Sequence, residues 1–128
     1  MTVAEVLPLI DEVCDGLSYM SETDFPVTSV SAPRALKGDF TPENVVRAFG
    51  WPPLSQIDER SYPDTIAVQS NHDPNWILLD DVLSSHLDDV RLFAVLAGTP
   101  GYATHRLLFI GLCDGNMIAG ATTMTVET

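Results

Sequence analysis

The sequence predicts an α+β fold, on three observations. Apolar residues recur at helical spacing near the N-terminus and again between Trp76 and Leu87. The last part of the chain reads as two consecutive strands. A short turn joins those strands and makes them antiparallel, so helices precede and interrupt a mostly antiparallel set of strands.

Val3, Val6, Leu7, Ile10, Val13, Cys14 and Leu17 fall on one side of a first helix. Thr2 and Glu5 have the spacing of a capping box, and Gly16 supplies a stop. Pro8 interrupts this pattern at a cost of about 3 kcal/mol, which predicts either a bend or a start near Leu7. The periodicity then breaks in a polar loop carrying Glu22 and Asp24. Val27 to Ser31 reads as a short strand bracketed by Pro26 and Pro33.

Thr41-Pro42-Glu43 places a capping residue before a proline, and Val45, Val46 and Phe49 continue a short helix to Gly50. Trp51-Pro52-Pro53 ends it. Leu54 to Gln69 mixes prolines and charges, and only Ile66 to Gln69 suggests a strand there. Asp73-Pro74 repeats the cap-and-proline pattern ahead of a stripe of Trp76, Leu79, Val82, Leu83, His86 and Leu87. Asp80, Asp81, Asp88 and Asp89 border that stripe as a solvated side, those near its end opposing the helix dipole. Arg91 to Ala97 reads as a strand and Gly98-Thr99-Pro100-Gly101 as a turn.

Leu107 to Leu112 is apolar at every position, as a strand covered on both faces would be. Asp114-Gly115-Asn116 is a turn. Ile118, Gly120, Thr122, Met124 and Val126 then share one face of a last strand, and Ala119, Ala121, Thr123, Thr125 and Glu127 the other. A strand that continues to the final residue, in place of a polar fraying tail, predicts an end held in position.

Composition bounds the function. The 128 residues, 45% of them hydrophobic, suit one domain over 1–128 with a proper core. Eighteen acids against six bases give a net charge of −12, which repels phosphate backbones and argues against direct nucleic-acid binding. Such a field favours basic partners or divalent cations, although solubility alone is the plain reading of it. Through Pro33 the chain holds Glu5, Asp11, Glu12, Asp15, Glu22 and Asp24 and no lysine or arginine. Cys14 and Cys113 are too few for a disulfide framework and read as buried free thiols. With no secretory leader and no run near the roughly 18 apolar residues of a membrane span, the expectation is a cytoplasmic protein with no membrane partner, monomeric alone. His72, His86 and His105 stand in unrelated contexts, and His86 reads as a buried or half-buried side chain of the helix stripe. The sequence has no Gly-rich phosphate loop, HExxH, GxSxG or CxxC, so it points to a non-enzyme without a cofactor.

Asp15-Gly16-Leu17, then Met20-Ser21-Glu22 followed by an acid, an aromatic residue and Pro26, resembles the nuclease A inhibitor (NuiA) family. Gly115-Asn116, Ile118-Ala119-Gly120 and the ending Val126-Glu127-Thr128 carry the same resemblance. It is strongest in residues 1–27 and 109–128, fair in the long helix, and limited to coarse patterns between Ser29 and Asn71. The resemblance implies an α-β-α sandwich, with helices on both faces of a small sheet. It also implies a protein inhibitor of a sugar-nonspecific, metal-dependent nuclease. Glu22 falls on the family's inhibitory glutamate, which meets the basic rim of the nuclease site, with Asp24 beside it; read alone, Glu22 is more readily a turn or cap acceptor, a ranking that the resemblance reverses. Thr128 falls on the C-terminal threonine that reaches the nuclease's catalytic metal, for which a hydroxyl and two carboxylate oxygens are suitable hard donors. Read alone, it is a plain strand end. The family places a tryptophan at the interface. Alignment of the long helix puts Trp76 in the core instead and brings Tyr62 or Asp64 nearer the contact position. The alternative from another class is an acidic protein-binding module of the same fold that inhibits no nuclease.

Overall fold

The computed structural model describes residues 1–21, 23–52, 56–99 and 102–127, with the side chains of 97–99, 102–104 and 127 left aside. Helix α1 (Val3–Cys14) leads into a small hairpin, β1 (Ser18–Tyr19) and β2 (Phe25–Pro26), and then into β3 (Thr28–Ala35). Next come α2 (Pro42–Phe49), β4 (Gln56–Arg60), α3 (Tyr62–His72) and α4 (Asn75–His86). The long strands β5 (Asp88–Thr99), β6 (Tyr102–Cys113) and β7 (Met117–Glu127) complete the chain. The main sheet has five strands in the order β3-β7-β6-β5-β4, every neighbouring pair antiparallel.

Helices cover both faces of this sheet, giving the α+β fold and α-β-α layering anticipated from the sequence. On one face Val6 and Ile10 of α1, Ile66 of α3, and Trp76, Leu79 and Leu83 of α4 pack over Leu107, Phe109, Ala119 and Ala121. On the other, Val45 and Ala48 of α2 pack with Phe40 over Phe93, Leu108, Ile110 and Ile118. Alternate residues of β6 therefore enter two different cores, which explains its unbroken apolar run. Among the described residues no helix is long and apolar enough to cross a membrane.

Local chemistry accounts for most boundaries. Thr2 and Glu5 form a complete capping box, and α1 begins at Val3 with Pro8 inside it rather than starting near Leu7. Pro8 and Ala4 are both exposed, so the carbonyl that Pro8 deprives of a partner can be hydrated. Thr41 Oγ1 caps α2 at the Asn44 N–H, and Gly50 ends it with a left-handed φ of 74°. Gly115 and Asn116, at φ 71° and 58°, make the tight connection between β6 and β7.

Four expectations are corrected. Ile66 to Gln69 is helical: Ser61 caps α3 at the Asp64 N–H, a proline occupies the first turn, and only Ile66 and Gln69, three apart, are buried. The strand expected at Val27 to Ser31 runs from Thr28 to Ala35 and passes through Pro33, which is tolerated because β3 is an edge strand and its register shifts between Ser31 and Ala35. Asp88 and Asp89 belong to β5, not to a helix end. Asp89 sits at φ 53° and its carboxylate accepts two hydrogen bonds from Arg91, each 3.1 Å. Finally, Gly98 and Thr99 continue β5 instead of forming the turn, whose remaining residues, Pro100 and Gly101, lie outside the described residues.

Candidate partner-binding site

A hairpin of two-residue strands cannot hold itself together. Ser18 pairs with Pro26 and Tyr19 with Phe25, but the framework around them supplies most of the fixings. The Trp76 indole Nε1–H donates to the Ser18 carbonyl at 3.1 Å. Gln69, only 3% exposed, uses both ends of its amide: Oε1 accepts from the Met20 N–H at 2.9 Å and Nε2 donates to the Met20 carbonyl at 3.0 Å. From the other side, Thr123 Oγ1 of β7 donates to the carbonyls of Pro26 at 3.0 Å and Phe25 at 3.4 Å. The loop leaving β1 is thus anchored at its root by α3, α4 and β7. Ser21 Oγ donates to the Thr23 carbonyl at 2.7 Å within that loop, and Asp24 is exposed.

Trp76 lies beneath the hairpin, and Tyr62 packs with it against Phe109. Trp76 is completely buried, its ring centroid 5.3 Å from Phe109 and 6.0 Å from Tyr19, so it has no surface to offer a partner. The alignment that put it in the core agrees with the structure; the contact role does not. Tyr62 is half-buried, edge-on to Phe109 at 6.3 Å, and its hydroxyl donates to Asp80 Oδ1 at 2.7 Å. Burial first, then the bond to Asp80, raises the Tyr62 phenol well above the ordinary range. Its polar end is already engaged within the protein.

β7 carries the second predicted element. Its pairing with β6 continues to Ala103 opposite Glu127, whereas β3 begins only opposite Thr122 and β4 begins opposite Leu96. Among the described residues, the sheet near this end consists of β5, β6 and β7. Thr122, Thr123 and Thr125 are nevertheless buried, and Thr122 Oγ1 donates to the Leu107 carbonyl at 2.8 Å. The hairpin root at Phe25 and Pro26 therefore meets β7 at Thr123, past the middle of that strand. Glu22 and Thr128 themselves lie outside the described residues.

Two apolar side chains beside the hairpin are exposed, and the sequence pattern did not mark Val68. Met20 is 43% exposed and Val68 of α3 is 55% exposed. Val68, Tyr19, Gln69 and Asp64 line a cavity of about 240 Å³ beside the hairpin. Nothing in the periodicity of Leu54 to Gln69 marked Gln69 or Val68, since both depend on α3 being recognised first. Elsewhere the thiols are quiet. Burial, reinforced by Asp11, pushes Cys14 up to about 12, and burial also raises half-buried Cys113. Among the described residues no three His, Cys, Asp or Glu side chains gather as metal ligands would.

Fold and site together define an acidic α+β protein that holds a short hairpin against Thr123 of β7. No family model and no curated protein matches the chain.

Proposed function

We propose that the protein inhibits a sugar-nonspecific, metal-dependent nuclease by acting as an acidic plug. The observation that carries this reading is the anchoring of the Met20 loop root to β7 through Thr123 and to α3 through Gln69. The two segments with the strongest NuiA-like resemblance are thereby joined where Thr123 meets Phe25 and Pro26. On this reading the net charge of −12 steers the protein to a basic nucleic-acid cleft. Glu22 pairs with a cation on the cleft rim, with Asp24 adding to the local charge. Thr128 gives its hydroxyl oxygen, and in a chain that ends there its carboxylate, to the nuclease's metal, filling positions that water and phosphate need.

The test is calorimetric titration of a magnesium-loaded, sugar-nonspecific nuclease with the wild-type chain and with Glu22→Gln. Tight binding by the wild type and a loss of about tenfold or more in the variant is the expected result. No detectable binding, or equal binding by both, overturns the assignment for that nuclease. Binding that leaves DNA cleavage unaffected assigns the protein instead to the acidic-module class.

A further inference from the structure

β3 lies at one margin of the sheet and, among the described residues, pairs with β7 on one side only. Its two halves differ. Beyond Ser31 a register shift and Pro33 blunt the edge, which are common protections of an edge strand. Residues 28–31 pair regularly with 122–119, so alternate N–H and C=O groups there point away from the sheet. The opposite margin, β4, is guarded by exposed Asp58 and Glu59.

A groove of about 600 Å³ lies between α1 and residues 26–28 and reaches the start of the 28–31 half of β3 at Thr28. Buried Leu17 and Val27 form its floor, exposed Pro8 gives it an apolar side, and Asp11, Glu12 and Asp15 form its rim. α1 ends at the same place with no base in its last turn, so the negative end of the helix dipole adds to these carboxylates. The sequence supplies no lysine or arginine before Arg34.

We infer that this groove and strand edge receive an extended, lysine- or arginine-bearing segment of a protein partner, which adds as a further strand beside residues 28–31. An extended segment satisfies the outward N–H and C=O groups of β3, which a helix laid in the groove would leave unpaired. Basic side chains lay their methylene stems along Pro8 and Leu17 and carry their charge to the rim. A second copy of this chain is disfavoured by its own charge of −12, and nucleic acid by the same field. The surface uses neither Glu22 nor Thr128, so it stands or falls separately from the nuclease reading.

The probe is a fluorescein-labelled peptide of roughly ten residues alternating lysine and valine, long enough to span the open edge. Anisotropy at low salt measures binding, and amide chemical shifts of the labelled protein locate it. The expected result is saturable binding, with shift changes concentrated at residues 28–31 and 11–17. Asp11→Asn, Glu12→Gln and Asp15→Asn combined should weaken it about tenfold. A control that removes equal charge elsewhere, Glu43→Gln, Asp58→Asn and Asp81→Asn combined, should change it by no more than about twofold. Absence of binding, equal weakening by the two triple variants, or shift changes spread over all acidic faces would each overturn the inference.

Discussion

Gln69 reaches from α3 to Met20 with both ends of its amide and replaces the neighbouring strand that β1 lacks on that side. Gln69→Leu keeps much of the volume and leaves the Met20 N–H and C=O without that partner, a loss of about 1–3 kcal/mol. Urea unfolding should show the loss, and hydrogen exchange should show faster protection loss at the hairpin than at β6. Cys14 and Tyr62 set the alkaline limit. Both are held protonated in the folded protein, mainly by burial, while the unfolded chain releases the thiol proton near the ordinary value of 9. Their contribution is therefore complete below that value and declines as pH rises, for Cys14 up to about 12. Stability measured by thermal melting should fall above pH 9, and Cys14→Ala combined with Tyr62→Phe should flatten the fall. A decline of the same steepness in the double variant would refute this assignment.

Elements with long repeats or strong caps were legible in the sequence. α1, α2 and α4 announce themselves by apolar spacing and by Thr2, Thr41 and the stripe ending at Leu87, and β6 and β7 by their apolar faces and the Gly115-Asn116 turn. The β1–β2 hairpin was not legible, because strands of two residues carry no period and are fixed by distant Trp76, Gln69 and Thr123. α3 was hidden because it buries only Ile66 and Gln69, one of them polar, so its helical side reads as noise. The supports of the candidate site, Trp76, Gln69 and Thr123, were not legible for the same reason: they are defined by tertiary contacts. Gly120 shows how closely β6 and β7 approach. A Cβ there would lie 2.0 Å from the Phe109 carbonyl oxygen and 2.8 Å from the Ile110 Cα. Both are backbone atoms that cannot turn aside, so Gly120→Ala should cost about 3 kcal/mol or more and lower the melting temperature sharply. A variant that melts within a degree or so of wild type would mean that the two strands can separate locally without penalty.

The whole molecule combines two apolar cores with a strongly acidic surface. Arg91 is one of its few bases, and it is committed internally to Asp89 at 3.1 Å and Glu59 at 3.2 Å, with the Phe40 ring 5.3 Å from its guanidinium carbon. Eighteen acids against six bases leave most of the acidic charge unbalanced within the fold, so on the plug reading association with a basic cleft should weaken with salt. Raising ionic strength from about 0.1 M to about 1 M shortens the screening length from about 10 Å to about 3 Å, so the association rate should drop more than the dissociation rate rises. Stopped-flow binding at the two salt concentrations checks this; an unchanged association rate would remove electrostatic steering from the account. The most direct measurement of the central claim is DNA hydrolysis by a magnesium-dependent, sugar-nonspecific nuclease as the chain is added in increasing molar ratio, alone and with a few residues appended after Thr128. The account predicts stoichiometric loss of cleavage with the chain ending at Thr128 and restored cleavage with the extended form. Undiminished hydrolysis at excess of the chain, or equal inhibition by both forms, would contradict the plug.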